Sequence, residues 1–110
     1  MVALKVKIVP VFDSNQPVVV NIKFFMRRPN SHFKGKDRLS PLKPGVPIAH
    51  VAAPDIDNLT EFTLDVMNGV VYEDDKQCVK LIASKLCDSE GMCTDRTEVV
   101  VCKFDGGMSL

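Results

Sequence analysis

"PDIDNLTEFTLDVMNGVVYEDDKQ", residues 54–77, decides how this chain is built. Asp57 or Asn58 can N-cap a helix there, and Asn58 with Glu61 three residues later forms a capping box. Leu59, Phe62, Val66 and Met67 recur at the spacing of one helical face, which predicts an amphipathic helix with that face buried. Asn68-Gly69 ends it, because glycine takes the left-handed conformation that side chains resist. A short extended piece, "VVY" (70–72), then leads into three consecutive acids.

Outward from this helix the pattern changes from helical to strand-like. "VVVNIKFFM" (18–26) is β-branched and aromatic and reads as the strongest strand, with Phe24, Phe25, Phe62 and Phe104 as expected core anchors. Residues 2–12 alternate loosely as a second strand, with Lys5 and Lys7 on its wet side, and "DSNQP" (13–17) is a turn. "QCVKLIASKLC" (77–87) and "TEVVVCKF" (97–104) read as an antiparallel pair joined by a polar loop. The order β-β-loop-α-β-β predicts an α/β chain of the two-layer α+β kind, a small mixed sheet with a helix packed on one face. One domain is expected over 1–110, with its core at about 18–104, a basic loop at 27–54 and a frayed tail at 105–110.

At 45% apolar and 25% charged residues the composition is that of a folded globular chain, which excludes a disordered one. Apolar runs are strand-sized, far short of the ~18 residues of a membrane span. Met1 leads into a strand pattern with no signal peptide, so an intracellular location is expected. The zero net charge hides a division: residues 1–54 carry +7 and residues 55–75 carry −7. Such local fields steer partners, and a basic arm beside an acidic pocket suits a polyanion held against a metal. Cys78, Cys87, Cys93 and Cys102 lack a CxxC knuckle, which argues against zinc. A C-terminal hairpin would set Cys87 opposite Cys93 and Cys78 opposite Cys102. Buried thiols remain the expected state for an intracellular chain, with disulfides or a metal as alternatives.

The acids carry the chemistry. Asp55 and Asp57 flank Ile56, so in an extended segment they share a face, and Asp57 lies at a helix start, where the backbone's partial positive charge favours a carboxylate. Mg²⁺ takes oxygen ligands and is often held by a few carboxylates, waters and a substrate phosphate. Asp74 or Asp75 can return toward the same edge, one of the two pointing inward. A solvated acidic rim with Asp57 merely capping the helix is the competing reading. A calcium EF-hand fails, because its glycine is absent and a helix begins where further ligands belong. His32 is balanced between a phosphate contact and a plain loop residue, His50 reads as packed, and Tyr72 as packed on the core.

These residues resemble the RusA family of Holliday-junction endonucleases. The shared pattern is D-x-D-N-L opening a helix, then L-D-x-x-N-G, then an acidic D-D-x-Q turn, and "RRPNSHFKGK" (27–36) is similar to a segment of many relatives. The likeness covers residues 18–104. It implies a homodimeric, Mg²⁺-dependent nuclease (Mn²⁺ as an alternative) acting on branched DNA in recombination and repair. Such an enzyme nicks opposing strands of a four-way junction and leaves ligatable 5′-phosphate ends. Carried over, the catalytic metal-binding acids fall on Asp55, Asp57 and Asp75, with Asp65 the helix aspartate. Arg27, Arg28, His32, Lys34 and Lys36 would contact the DNA, largely without regard to sequence. Two departures stand out. Glu61 occupies a position where the family commonly has a lysine, leaving Lys76 and Lys85 as candidate substitutes, and the segment before Val18 is shorter than in many relatives. A junction-binding relative of weakened catalysis is therefore the runner-up, and a disulfide-stabilised secreted module a third reading.

Overall fold

The computed structural model describes residues 3–8, 12–13, 15–35, 40–88 and 95–105. Four strands, β1 (Ala3–Ile8), β2 (Val18–Met26), β3 (Cys78–Cys87) and β4 (Arg96–Lys103), form one sheet in the order β1-β4-β2-β3. The one α-helix among the described residues, α1 (Ile56–Met67), lies in the crossover between β2 and β3. This is the expected α+β arrangement of a mixed sheet and a helix.

The strand pairing differs from the expected hairpin. β2 separates β3 from β4, pairing parallel to β3 and antiparallel to β4, while β1 pairs parallel to β4. The physical reason lies in β2 itself. Val18, Val19 and Val20 are all buried, so this strand has apolar residues on both faces and belongs in the middle of a sheet. The cysteines follow from the same register: Cys78 pairs with Val18 and Cys102 with Val19, on opposite sides of β2. Cys78, Cys87 and Cys102 are free thiols, and Cys93 lies outside the described residues.

On the helix side of the sheet, Val18, Val20, Ile22, Phe24 and Met26 of β2 join Val99 and Val101 of β4. Met67, Val71 and Tyr72 close the core over them. Tyr72 packs as expected, its hydroxyl donating to the Leu64 carbonyl at 3.4 Å. Burial first, then nearby anionic groups, push its phenol up to about 12.

Helix α1 is turned from its expected orientation. It buries Thr60, Thr63 and Met67, with Leu59 and Leu64 partly buried, whereas Phe62 is 69% exposed and Val66 is also exposed. Two threonines can line the buried face because each hydroxyl is satisfied within the helix. Thr60 Oγ1 donates to the Ile56 carbonyl (2.7 Å) and Thr63 Oγ1 to the Leu59 carbonyl (2.8 Å). Hydrophobicity alone pointed at Phe62, and the packing selected the smaller side chains. Gly69 ends the helix region at φ 78°, as its position implied.

The basic segment after β2 is more ordered than a bare loop. A short 3-10 turn (Asn30–His32) and a Phe33–Leu42 bridge fold it back on itself, and an Ala49–Leu86 bridge fastens its end to β3. Among the described residues no helix is long and apolar enough to cross a membrane.

Candidate metal centre

The site is built where this segment meets β3. Cys87 N–H donates to the Ile48 carbonyl (2.7 Å) and His50 N–H to the Lys85 carbonyl (3.1 Å), so residues 48–50 run alongside the edge strand. The chain then crosses an exposed turn. The Lys85 ammonium reaches up to it, donating to the Ala52 carbonyl and, at 2.6 Å, to the Pro54 carbonyl. Period-two alternation puts Lys85 on the same face of β3 as Leu81 and Ala83, beneath the start of α1.

That turn delivers the acids. Asp55, rather than Asp57 or Asn58, is the N-cap residue of α1. Its carbonyl accepts from Leu59 N–H at 3.1 Å, while its side chain makes no capping bond. Asp57 sits in the first helical turn, with Oδ1 accepting from Asn58 N–H at 3.0 Å. The two carboxylates therefore meet through a helix start and not through a strand pleat, and the expected capping box on Asn58 does not form at the N-cap. The outcome is still a shared location: His50, Asp55, Ile56, Asp57, Ser84 and Lys85 line one open cleft of about 630 Å³. Glu61 lies in the adjoining groove with Asp57, Thr60, Leu64, Leu81 and Ala83.

Asp75 is not among the residues that line this cleft. Asp74 caps a 3-10 turn (Asp75–Gln77), accepting from Lys76 N–H at 2.9 Å. Gln77, 6% exposed, is the knot of the D-D-x-Q pattern. Its Oε1 accepts from the Glu73 and Asp74 N–H groups, and its Nε2 donates to the Asp13 and Gln16 carbonyls. A hydrogen bond between the side chains of Asp74 and Asp75 raises the Asp75 carboxyl above its ordinary range. The Lys76 N–H, followed by the bond to Asp75, holds Asp74 below it. The other acid that acts on Asp75 is Asp65, eight residues beyond Asp57 along the helix or roughly 12 Å of rise. Among the described residues no group of three metal-ligating side chains is assembled. Mg²⁺ is nonetheless commonly held by one or two carboxylates with waters and substrate phosphate, and the Asp55–Asp57 pair fits that form.

The basic residues separate into two kinds. Arg27 and Lys34 are exposed. Arg28 is 3% exposed and holds the chain together instead of facing solvent. Its Nε donates to the Asp88 carbonyl (2.7 Å), and its NH1 donates to the Pro47 carbonyl (2.8 Å) and to His32 Nδ1 (3.3 Å). Lys36 lies outside the described residues.

His50, read from the sequence as a packed residue, also reaches the cleft. Its Nδ1 is buried without a hydrogen-bond partner among the described residues. Burial and then the Lys85 cation lower its pKa from the ordinary value, while Asp95 opposes them, so the ring is held toward its neutral form. A histidine between Ala49 and Val51 carries no local sign of this; its position arises from the bridge to β3.

Comparison with known proteins identifies relatives of the chain. A protein of Bacillus subtilis (strain 168) named "Uncharacterized protein YqaN" is 29% identical over 85 residues, covering 77% of this chain and 56% of that protein. The chain thus spans little more than half the length of that curated relative. No solved structure matches. The family model described as endodeoxyribonuclease RusA matches residues 3–101, which include the anchored loop, both cleft aspartates and the D-D-x-Q turn. The chain therefore belongs to the RusA endodeoxyribonuclease family.

Proposed function

We propose that this protein is a Mg²⁺-dependent, structure-selective endodeoxyribonuclease that nicks four-way DNA junctions as a homodimer in recombination and repair, with Mn²⁺ able to replace Mg²⁺. The observation that supports it best is the joining of Asp55, Asp57 and the Lys85 ammonium in one open cleft at a helix start. Asp55 and Asp57 would hold the metal, which when bound supplies an activated water and offsets charge on a phosphate. The chain's own contribution is positional. Helix α1 fixes Asp57 in its first turn, Asp55 keeps a carboxylate free of capping, and the open cleft admits a DNA backbone. Asp75, the third acid implied by the resemblance, stands outside this cleft and is assigned a catalytic role only by family likeness. Arg27, His32, Lys34 and Lys36 would grip DNA phosphates, releasing counterions and making affinity salt-dependent.

A second reading rests on Glu61. It puts a further carboxylate in the groove beside Asp57, at a position where a lysine would stabilise developing negative charge. A junction-binding protein of weakened catalysis would carry such a change. Incubation of the purified protein with an end-labelled four-way junction, in Mg²⁺ or EDTA and beside Glu61→Lys, separates the two. Paired Mg²⁺-dependent nicks by the unmodified protein support the nuclease. Binding without nicks, with cleavage restored in Glu61→Lys, supports the second reading, and no binding by either protein refutes both.

A further inference from the structure

Glu61 leaves the cleft without the expected helix lysine, and the sequence offered Lys76 or Lys85 in its place. Lys76 lines a separate hollow with Asn15, Gln16, Pro17, Asp74 and Gln77, none of which lines the cleft. Lys85 lines the cleft itself, with Asp55 and Asp57. An ammonium has three donors. Lys85 uses its donors on the Ala52 and Pro54 carbonyls, the latter belonging to the residue immediately before Asp55. The strand that carries it also anchors the loop through the Ala49–Leu86 bridge and the His50 N–H bond to the Lys85 carbonyl. One residue therefore holds the loop by both its main chain and its side chain, directly before the acids.

We propose that Lys85 is the positioning residue of this centre: its ammonium fixes the turn that presents Asp55 and Asp57 to a divalent cation. This rests on the nuclease reading for its biological purpose, but its physical content is metal affinity. Two of its three donors are committed to backbone carbonyls, which ties the ammonium to the turn that precedes the acids. With that tie removed, the turn before the N-cap keeps no side-chain anchor to β3 among those described, and the carboxylates lose their common orientation.

The test compares the unmodified protein with Lys85→Met and Lys85→Arg. Mn²⁺ affinity is read by electron paramagnetic resonance of the free ion, nicking under single-turnover conditions, and junction binding in EDTA. Lys85→Met is expected to bind Mn²⁺ about 10- to 100-fold more weakly and to nick more slowly by a similar factor, with junction binding in EDTA changed by less than about threefold. Lys85→Arg, which retains charge and donors, is expected to recover most of both losses. Unchanged Mn²⁺ affinity in a folded Lys85→Met overturns the assignment. Should Lys85→Met fail to fold, the side-chain ¹⁵N resonance of Lys85 in the unmodified protein decides: it shifts on Mg²⁺ addition if the assignment holds, and its constancy overturns it. A protein whose Mn²⁺ affinity depends on Lys85 but which never nicks DNA sinks the nuclease reading and leaves this assignment standing.

Discussion

Replacing Arg28 with methionine separates an internal clamp from a DNA contact, because the two roles predict opposite results. Methionine retains an apolar stem of similar reach but removes every donor. In the structure the guanidinium satisfies the Asp88 and Pro47 carbonyls at 2.7 and 2.8 Å, and the side chain is 3% exposed. Each bond from a charged donor contributes about 1.5–3 kcal/mol, and the one to the Asp88 carbonyl is buried. The total comes to roughly 3–5 kcal/mol, a large share of the ~5–15 kcal/mol available to a domain. For a chain of this size that lowers the melting temperature by on the order of 10–20 °C. The assay pairs thermal melts with junction binding measured over a series of salt concentrations. Arg28→Met should melt early, with a salt slope equal to that of the unmodified protein at a temperature where both are folded. Lys34→Ala should do the reverse, melting normally while its slope falls by about 0.9, the effect of one lost phosphate contact. A normal melt for Arg28→Met with a slope reduced by about 0.9 would refute the clamp.

Other perturbations test other parts of the molecule. Asp57→Asn should abolish nicking and Mn²⁺ binding while changing stability by less than about 1 kcal/mol, since its carboxylate only accepts one local N–H; chemical denaturation and the junction assay check this together. His50 has a folded-state pKa below its ordinary 6.5, set by burial and Lys85 against the opposing Asp95, so the unfolded chain takes up that proton first. Its contribution to stability is complete above about 6.5 and is lost as pH falls toward the lower folded value. Urea melts of His50→Gln should therefore lose less stability on acidification than the unmodified protein, and an equal loss would contradict the reading. Carboxyl ¹³C titration should find Asp75 giving up its proton at higher pH than Asp74, the order set by their shared hydrogen bond and by the Lys76 N–H on Asp74. Gly69→Ala should cost about 1–2 kcal/mol by denaturant melt, a purely conformational loss, because at φ 78° no atom lies within 4 Å of the added methyl.

How much of this was legible in the chain varies from element to element. β2, the existence and end of α1, and the closeness of Asp55 to Asp57 all follow from interactions within about one helical turn or one strand repeat. The family likeness is of the same kind, since its D-x-D-N-L and D-D-x-Q patterns are contiguous. Helix rotation was not legible: Phe62 is the more hydrophobic residue, yet Thr60 and Thr63 could enter the interface by turning their hydroxyls onto the helix's own carbonyls. Sheet order was not legible either. A hairpin between β3 and β4 was the locally plausible pairing, and it gave way because β2 required neighbours on both edges.

By itself, then, the sequence determined the helix and strand types, the charge division and the presence of two carboxylates at a helix start. Only the tertiary structure decided which groups meet them. Lys85 arrives from β3, thirty residues beyond Asp55, and His50 arrives through a bridge to the same strand. Asp75 is hydrogen-bonded to Asp74, and Arg28 is drawn inside by carbonyls from distant segments. Local propensity reports the few residues around a position, whereas a site's chemistry depends on long-range pairing, which the burial of the whole sheet selects.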